Sequence, residues 1–535
     1  MDDSPSHARS TRTRLLLGVA AAAVLAPLSI SGVAAADAPV APPASAPQWT
    51  TQQVAPGVEV RTGNVKDPAA APSWTVTVQA EVKARFTGAQ AWANVGTEPW
   101  ATQTADRLRA AGLEPVVTKV AWPDYADTPH GLMGVRVRVG SFPTQDAAKS
   151  VAAQVTAAGL RNTVEWTGYD VDQPADVENI HVAVIDPRTF HGTVEATHDG
   201  NVADRETTSS VAGKLGSLVG VNGGFFLTSS ADGVQGTMAG VSAYDGELTS
   251  MAVGSRAALI LEDGGRRTRI ADLTTTVTVR AGHAEHSVEG INRTPGLLRN
   301  CGRPGALPTA DPRHDTTCTM KDELVKFTDG YVHELPTGAG VQVVLDAKDR
   351  VVSVGDRTGS VAPGRTVLQG IGSAADWLTE HAKVGKKIST KEVIRDGDGR
   401  KVKLGRRDSI VSAAPTLVKD GRTHIDAAAE GVLDPQDLSF GFAWANNRQP
   451  RTMAGIDKKG RLLLVTVDGR TAGGSEGFTL AEGAAFMRSL GAVDALNLDG
   501  GGSSAMAVNG VLVNHPSDAT GERAVGDTIQ VLAGR

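Results

Sequence analysis

With 535 residues, 41% of them hydrophobic and 21% charged, the chain has ordinary globular composition and enough length for two or more domains. A net charge of −6 over that length gives no electrostatic case for nucleic acid or an anionic membrane as partner. Only 4% of residues are aromatic, and 61 glycines with 26 prolines favour strands joined by turns over long helices.

Residues 1–36 read as a signal peptide. Arg9, Arg12 and Arg14 precede an apolar run from Leu15 to about Leu28, and Ala34-Ala35-Ala36 offers a small-residue cleavage site. Pro27 and the shortness of the run argue against a stable span, so no transmembrane anchor is expected after cleavage. The Ala/Pro-rich stretch 37–72 carries no sustained period and reads as a linker.

Residues 73–170 contain a degenerate repeat. Trp74–Val78 alternates as a strand does, Ala101–Ala111 is helical, and Val116-Val117 returns as a strand. Val135–Val139, a helix over Asp146–Ala158 and Thr163–Trp166 repeat that order. Both helices end in Ala-Ala-Gly-Leu, at 110–113 and 157–160, with Gly placed to take the left-handed conformation after the last turn. Two such units predict a small split-βαβ sheet with helices on one face. The stretch resembles the SPOR (sporulation-related repeat) domain, best over Val137-Arg138-Val139-Gly140-Ser141-Phe142, whereas Gln79-Ala80-Glu81 departs from the pattern. The resemblance implies binding to peptidoglycan glycan strands, and with the signal peptide it implies a secreted, cell-wall-associated protein.

From 175 to 535 the pattern changes to strands punctuated by turns, among them Ile180–Ile185, Leu218–Phe226, Ala257–Leu261, Val341–Leu345 and Leu462–Val467. Helices are fewer, at Ser209–Leu215, Ala374–His381 and Leu480–Leu490. The fold class expected is α+β, with a large mixed or antiparallel sheet behind the small split-βαβ domain. Cys301 and Cys318 are the only cysteines, and in an oxidising compartment they are expected to form a structural disulfide worth about 3 kcal/mol.

Several stretches of this domain carry candidate chemistry. Leu496–Ser504 runs from an apolar strand into Asp499, the glycines Gly500, Gly501 and Gly502, and the hydroxyls of Ser503 and Ser504. Glycines permit close approach of main-chain N–H groups to a ligand, and successive N–H groups can form an anion site beside the carboxylate. Asn509-Gly510 then supplies a hairpin turn. Val221-Asn222-Gly223-Gly224-Phe225-Phe226 interrupts a strand with a glycine pair, a sign of a bulge or of ligand approach. Asn292-Arg293 could grip an anion or sit solvated. Arg451, followed by small residues and then the strand Leu462–Val467, could hold phosphate in a bidentate way. Asp468 ends the following strand, and Ser517-Asp518 and Arg523 could return to the same sheet end. Gly473–Gly477 matches the serine-nucleophile pattern G-x-S-x-G, but its turn is too long for a tight elbow.

Together these stretches resemble the phosphodiester glycosidase family. The matching elements are N-G-G-F-F at 222–226, R-T-x-x-G at 451–455, V-D-G-R at 467–470, N-L-D-G-G-G-S at 497–503, N-G at 509–510 and P-S-D at 516–518. Ser412-Ala413-Ala414-Pro415 departs from the family's usual Gly-Gly-Pro. The resemblance implies hydrolysis of a sugar-1-phosphodiester at the anomeric C–O bond, with a phosphodiester-linked glycan as substrate. A weakly basic phosphate leaving group needs cations and N–H donors, and the oxocarbenium-like sugar needs a carboxylate. On that reading Asp499 and Asp468 are the catalytic carboxylates. Arg451, Arg523 and Gly500–Ser503 bind phosphate, and Asn222 and Gly223 orient the substrate. No cofactor is evident, and the sequence leaves open a divalent ion near the two aspartates. A non-catalytic glycan-binding protein and a glycosidase acting on phosphate-free glycans are the alternatives.

Overall fold

The computed structural model describes residues 47–85, 88–173, 175–301 and 316–534. The expected signal peptide and the first part of the expected linker lie outside these residues. Among the described residues, no helix is long and apolar enough to cross a membrane.

Over residues 48–66 the linker expectation is overturned. Gln48–Ala55 and Val58–Lys66 are antiparallel strands, and the second pairs along its whole length with Val177–Ile185, from Val58↔Ile185 to Lys66↔Val177. Apolar Val58, Val60 and Val65 are buried, and this fixes the segment to the sheet. The large domain is therefore built from 48–66 together with the chain after the 73–170 module.

Its central sheet has eight strands. Moving inward from the Gln48–Ala55 edge come Val58–Lys66, Val177–Ile185, Leu462–Val467, Arg451–Asp457 and Ala492–Asn497, followed by Thr416–Lys419 and Arg422–Thr423. One face packs on helix Leu480–Ser489, whose Thr479 and Glu482 close a reciprocal N-terminal cap. The other shares a core with a five-stranded sheet containing Val219–Asn222, Met506–Val508 and Thr528–Leu532. A second apolar core lies between a further eight-stranded sheet, with Arg256–Glu262 and Arg267–Ala281, and a five-stranded sheet holding Glu323–Phe327 and Gly338–Leu345. Almost all pairings are antiparallel, in keeping with the α+β expectation. Cys301 and Cys318 are bonded and buried.

The 73–170 segment forms the expected split-βαβ sheet. Its order is Pro115–Ala121, Leu132–Phe142, Trp74–Val78, Asn162–Trp166, all antiparallel, and helices Glu98–Ala110 and Gln145–Ala157 pack on it. This module is docked rather than strung out. The Tyr125 hydroxyl donates to the Ala445 carbonyl at 2.7 Å, and the Trp166 indole N–H donates to Glu476 at 2.8 Å. Arg448 Nη1 donates to the carbonyls of Gly168 and Asp170 at 2.8 and 2.9 Å. These donors are buried, so leaving them unpaired would cost more than the bonds gain.

Candidate functional site

Val467↔Arg451 and Met453↔Asn497 are cross-strand partners in three adjacent strands. Asp468 and Asp499 therefore emerge at one end of the central sheet with the 451–457 strand between them, about 10 Å apart by strand spacing.

Asp499 is half-buried at the start of the glycine turn. Its N–H donates to the Gly223 carbonyl at 3.0 Å, and its own carbonyl accepts from Asn222 Nδ2 at 2.7 Å. Asn222 Oδ1 accepts from Thr452 Oγ1 at 2.6 Å and from Ala505 N–H at 3.1 Å. Asn222 has no exposed surface, so the expectation that it orients a substrate hydroxyl is corrected. It braces the main chain on either side of the turn instead. Gly223 also serves support rather than substrate: a Cβ there would come within 2.3 Å of Asp527 Oδ1. Asp527 accepts from Gly224 N–H at 2.8 Å and from the Tyr244 hydroxyl at 2.9 Å. Burial pushes its carboxyl up to about 6, against the pull of those two donors.

The turn itself differs from an open anion cradle. The N–H groups of Gly501, Ser503 and Ser504 donate to the carbonyls of Pro450, Gly500 and Gly501 at 2.9, 3.2 and 3.2 Å. Gly500 N–H donates to the Asp499 carboxylate at 2.9 Å. These bonds set the turn's shape, and the Ser503 hydroxyl is buried without a hydrogen-bond partner. The reading of the Gly500 and Gly501 N–H groups as phosphate donors is accordingly corrected, whereas the Ser503 hydroxyl is not committed to the turn. Asn509-Gly510 forms the expected hairpin, with φ of 50° and 76°.

The expectation that Arg451 grips phosphate is also corrected. Its side chain has no exposed surface, and it donates from Nε to the Phe478 carbonyl at 2.9 Å and from Nη2 to the Trp444 carbonyl at 2.5 Å. The guanidinium lies 4.7 Å from the centre of the Trp444 ring. Burial lowers its pKa to about 9, with Tyr125 opposing the shift. Its place on the helix-covered face of the strand turns it into a core cation.

The exposed cation is Arg470, three residues beyond its strand. It holds a left-handed φ of 59°, a conformation that residues other than glycine, asparagine and aspartate rarely adopt. Nε donates to Gln449 Oε1 at 2.6 Å, which aims the guanidinium at the turn: a Cβ on Gly501 would lie 3.1 Å from both its terminal nitrogens. Burial lowers its pKa and the Arg523 charge adds to the shift, while the Asp518 and Asp499 carboxylates oppose it. Arg523 forks onto Asp518 at 2.8 and 2.9 Å, and a Cβ on Gly502 would meet this pair at 2.2 Å. Gly501 and Gly502 thus let two guanidinium groups close on the turn beside Asp499. Arg470 was visible in the V-D-G-R element, but nothing in the sequence distinguished it from Arg451.

Asp468, 4% exposed, accepts from His515 N–H at 2.9 Å and Asn514 Nδ2 at 3.1 Å, with His181 Nε2 4.0 Å away. Burial raises its pKa, while His515, His181 and Asn514 pull the other way. Burial lowers the His181 pKa, with Asp468 opposing the shift. Asn514 also donates to the Ser504 carbonyl at 3.0 Å, tying Asp468 to the glycine turn. Sequence reasoning missed His181, Asn514 and His515; register with Thr466 is what brings His181 here.

The remaining candidates serve structure. Arg293 pairs with Glu323, and Asn292 donates to the Thr249 carbonyl at 3.1 Å. Ser475 is buried and donates to the Asp468 carbonyl at 2.8 Å, so it is no nucleophile elbow. Among the described residues no group of three His, Cys, Asp or Glu side chains is placed to hold a metal ion.

Comparison with known proteins gives this geometry its context. Residues 339–532 match the family model of phosphodiester glycosidases. The chain is similar to N-acetylglucosamine-1-phosphodiester alpha-N-acetylglucosaminidase of Mus musculus, 34% identical over 110 residues, 20% of this chain and 21% of that protein. The protein of that name from Bos taurus is 36% identical over 110 residues, 20% of each chain. The chain thus spans about a fifth of the length of these curated relatives. A crystal structure from Burkholderia pseudomallei is similar over 92% of this chain and 98% of that one, with a TM-score of 0.79 and 30% identity. These likenesses tie residues 339–532 to the phosphodiester glycosidase family model and nearly the whole fold to the Burkholderia structure.

Proposed function

We propose that the protein hydrolyses the glycosidic bond of sugar-1-phosphodiesters in an envelope or extracellular glycopolymer. The observation that carries the reading is Asp499 held beside Arg470, an exposed arginine kept in a left-handed conformation, and the adjoining Arg523. In this mechanism Arg470 and Arg523 neutralise the phosphate as the anomeric C–O bond breaks and its electron pair passes to the phosphate oxygen. The Asp499 carboxylate stabilises the positive charge that develops on the sugar. Water adds at the anomeric carbon and loses a proton, giving free sugar and a phosphomonoester. Asp468 and His181 supply a second ionisable pair from across the 451–457 strand.

Export, with the 73–170 module binding peptidoglycan glycan strands, completes the proposal. Its support is the sequence of residues 1–36 and the split-βαβ build of the module. Co-sedimentation of the isolated protein with purified peptidoglycan, before and after removal of its stem peptides, tests this part. The catalytic part is tested with a synthetic sugar-1-phosphodiester and the matched neutral glycoside. The expected result is sugar release from the first alone, abolished in Asp499→Asn; release from the neutral glycoside at an equal rate would replace the reading with an ordinary glycosidase.

A further inference from the structure

The inner face of the central sheet changes character at its site end. Val60, Ala183 and Leu464 are cross-strand neighbours that point into the core. Two residues further along the same strands, on the same face, stand Thr62, His181 and Thr466, and beyond them Asn64, Asn179 and Asp468. The edge strand adds Thr50 opposite Thr62 and Gln48 opposite Asn64. The sheet therefore carries two transverse rows of hydrogen-bonding side chains over four strands, about 14 Å across by strand spacing. All of them but the fully buried Thr466 floor an open cleft of about 400 Å³, overhung by Val513–His515.

The rows are built and graded. Asn64 Nδ2 donates to Asn179 Oδ1 at 2.6 Å, and Thr62 Oγ1 lies 3.4 Å from His181 Nδ1. Asp468 and His181 close the cleft at one end, both 4% exposed, while Gln48, Thr50, Thr62 and Asn64 are open to solvent. No lysine or arginine lines the cleft, so it is unsuited to phosphate, which the guanidinium groups on the far side of Asp468 would take. Amides and hydroxyls in parallel rows suit the ring hydroxyls of an uncharged sugar chain.

We infer that this cleft is an extended subsite for a neutral oligosaccharide, entering at the Gln48–Lys66 strands and leading its reducing end toward Asp468. This rests on the glycosidase reading of Asp499 and Arg470, and it specifies the substrate as a chain of sugars on the phosphate rather than a single one.

Two measurements on the full chain and on the double variant Gln48→Ala/Asn64→Ala, at the outer end of the rows, test it. The first compares kcat/KM for an N-acetylglucosamine tetramer and monomer, each carried as a 1-phosphodiester. Loss of two neutral hydrogen bonds should lower the tetramer-to-monomer ratio about tenfold in the variant. An unaltered ratio would overturn the inference. The second is calorimetric titration with the phosphate-free tetramers of N-acetylglucosamine and of glucose. Binding of either, weakened about tenfold in the variant, supports the subsite even if neither phosphodiester is hydrolysed, an outcome that would defeat the glycosidase reading alone. Absence of binding by both tetramers to the unaltered protein would overturn the subsite independently of turnover.

Discussion

Asp468 and Asp499 are written the same way in the sequence, each an acid between an apolar strand and a glycine, yet they end in opposite surroundings. Asp468 is almost sealed, held by a main-chain N–H and an amide, with an imidazole beside it and a cleft without lysine or arginine in front. Asp499 is half-open, its main chain fixed on both sides and its charge acting on Arg470. Burial raises the Asp468 pKa, which suits that carboxyl to hold a proton where an ordinary carboxylate would not, as an acid role requires. Location at a strand end identifies candidates; what the neighbouring strands bring decides their chemistry.

The largest effect is expected from removing the charge of the open acid. Asp499→Asn should lower kcat on a sugar-1-phosphodiester by about 10³–10⁴-fold. Asp468→Asn should cost about 10²-fold and flatten one limb of the pH–rate profile, measured as kcat/KM against pH. Equal losses with unchanged pH profiles would erase the distinction between them.

The arginines sharpen the same contrast. Arg470→Lys should lower kcat/KM about 10²-fold with little change in melting temperature, because an exposed fork is lost at the phosphate. Arg451→Lys should do the reverse, destabilising the fold by about 2–4 kcal/mol in chemical denaturation while the folded fraction retains more activity than Arg470→Lys. Reversal of that pattern would return the phosphate contact to Arg451.

The smallest effect concerns support behind the turn. The Asp527 carboxyl is raised to about 6 in the folded chain from an ordinary aspartate value of 3.8, so its contribution to stability is fully present below pH 3.8 and is lost as pH rises through 6. The loss amounts to about 3 kcal/mol by pH 7. Asp527→Asn keeps an acceptor for Gly224 and a partner for Tyr244, and should reduce the fall in melting temperature between pH 4 and pH 7. An identical fall in the variant would show that Asp527 does not titrate in that window.

Much of the large domain was legible because local chemistry and tertiary demand agree there. Thr479 and Glu482 announce a helix that forms within one residue of expectation, and Asn509-Gly510 takes the two positive φ angles that its sequence favours. The strands at 48–66 were hidden by their setting. The second strand from the edge buries one face only in part: Val58 and Val60 give way on it to exposed Thr62 and Asn64, so the apolar alternation stops halfway. Arg451 misled for a related reason: an arginine at a strand start reads alike whether its side chain faces a ligand or lies under Trp444. Only packing separates the two.

The pairing of Val58–Lys66 with Val177–Ile185 has a consequence for how the protein can be taken apart. Lys66 sits directly opposite Val177, and Asp67 N–H already bonds the Asp176 carbonyl at 3.0 Å. The two strands are the arms of a hairpin whose tip has been opened to admit more than a hundred residues. A short Asn-Gly link from Lys66 to Val177 would close that hairpin and excise the split-βαβ module in one step, with no strand of the central sheet removed. Truncation ahead of Trp74, by contrast, would strip both outer strands from the sheet and with them half of the cleft floor.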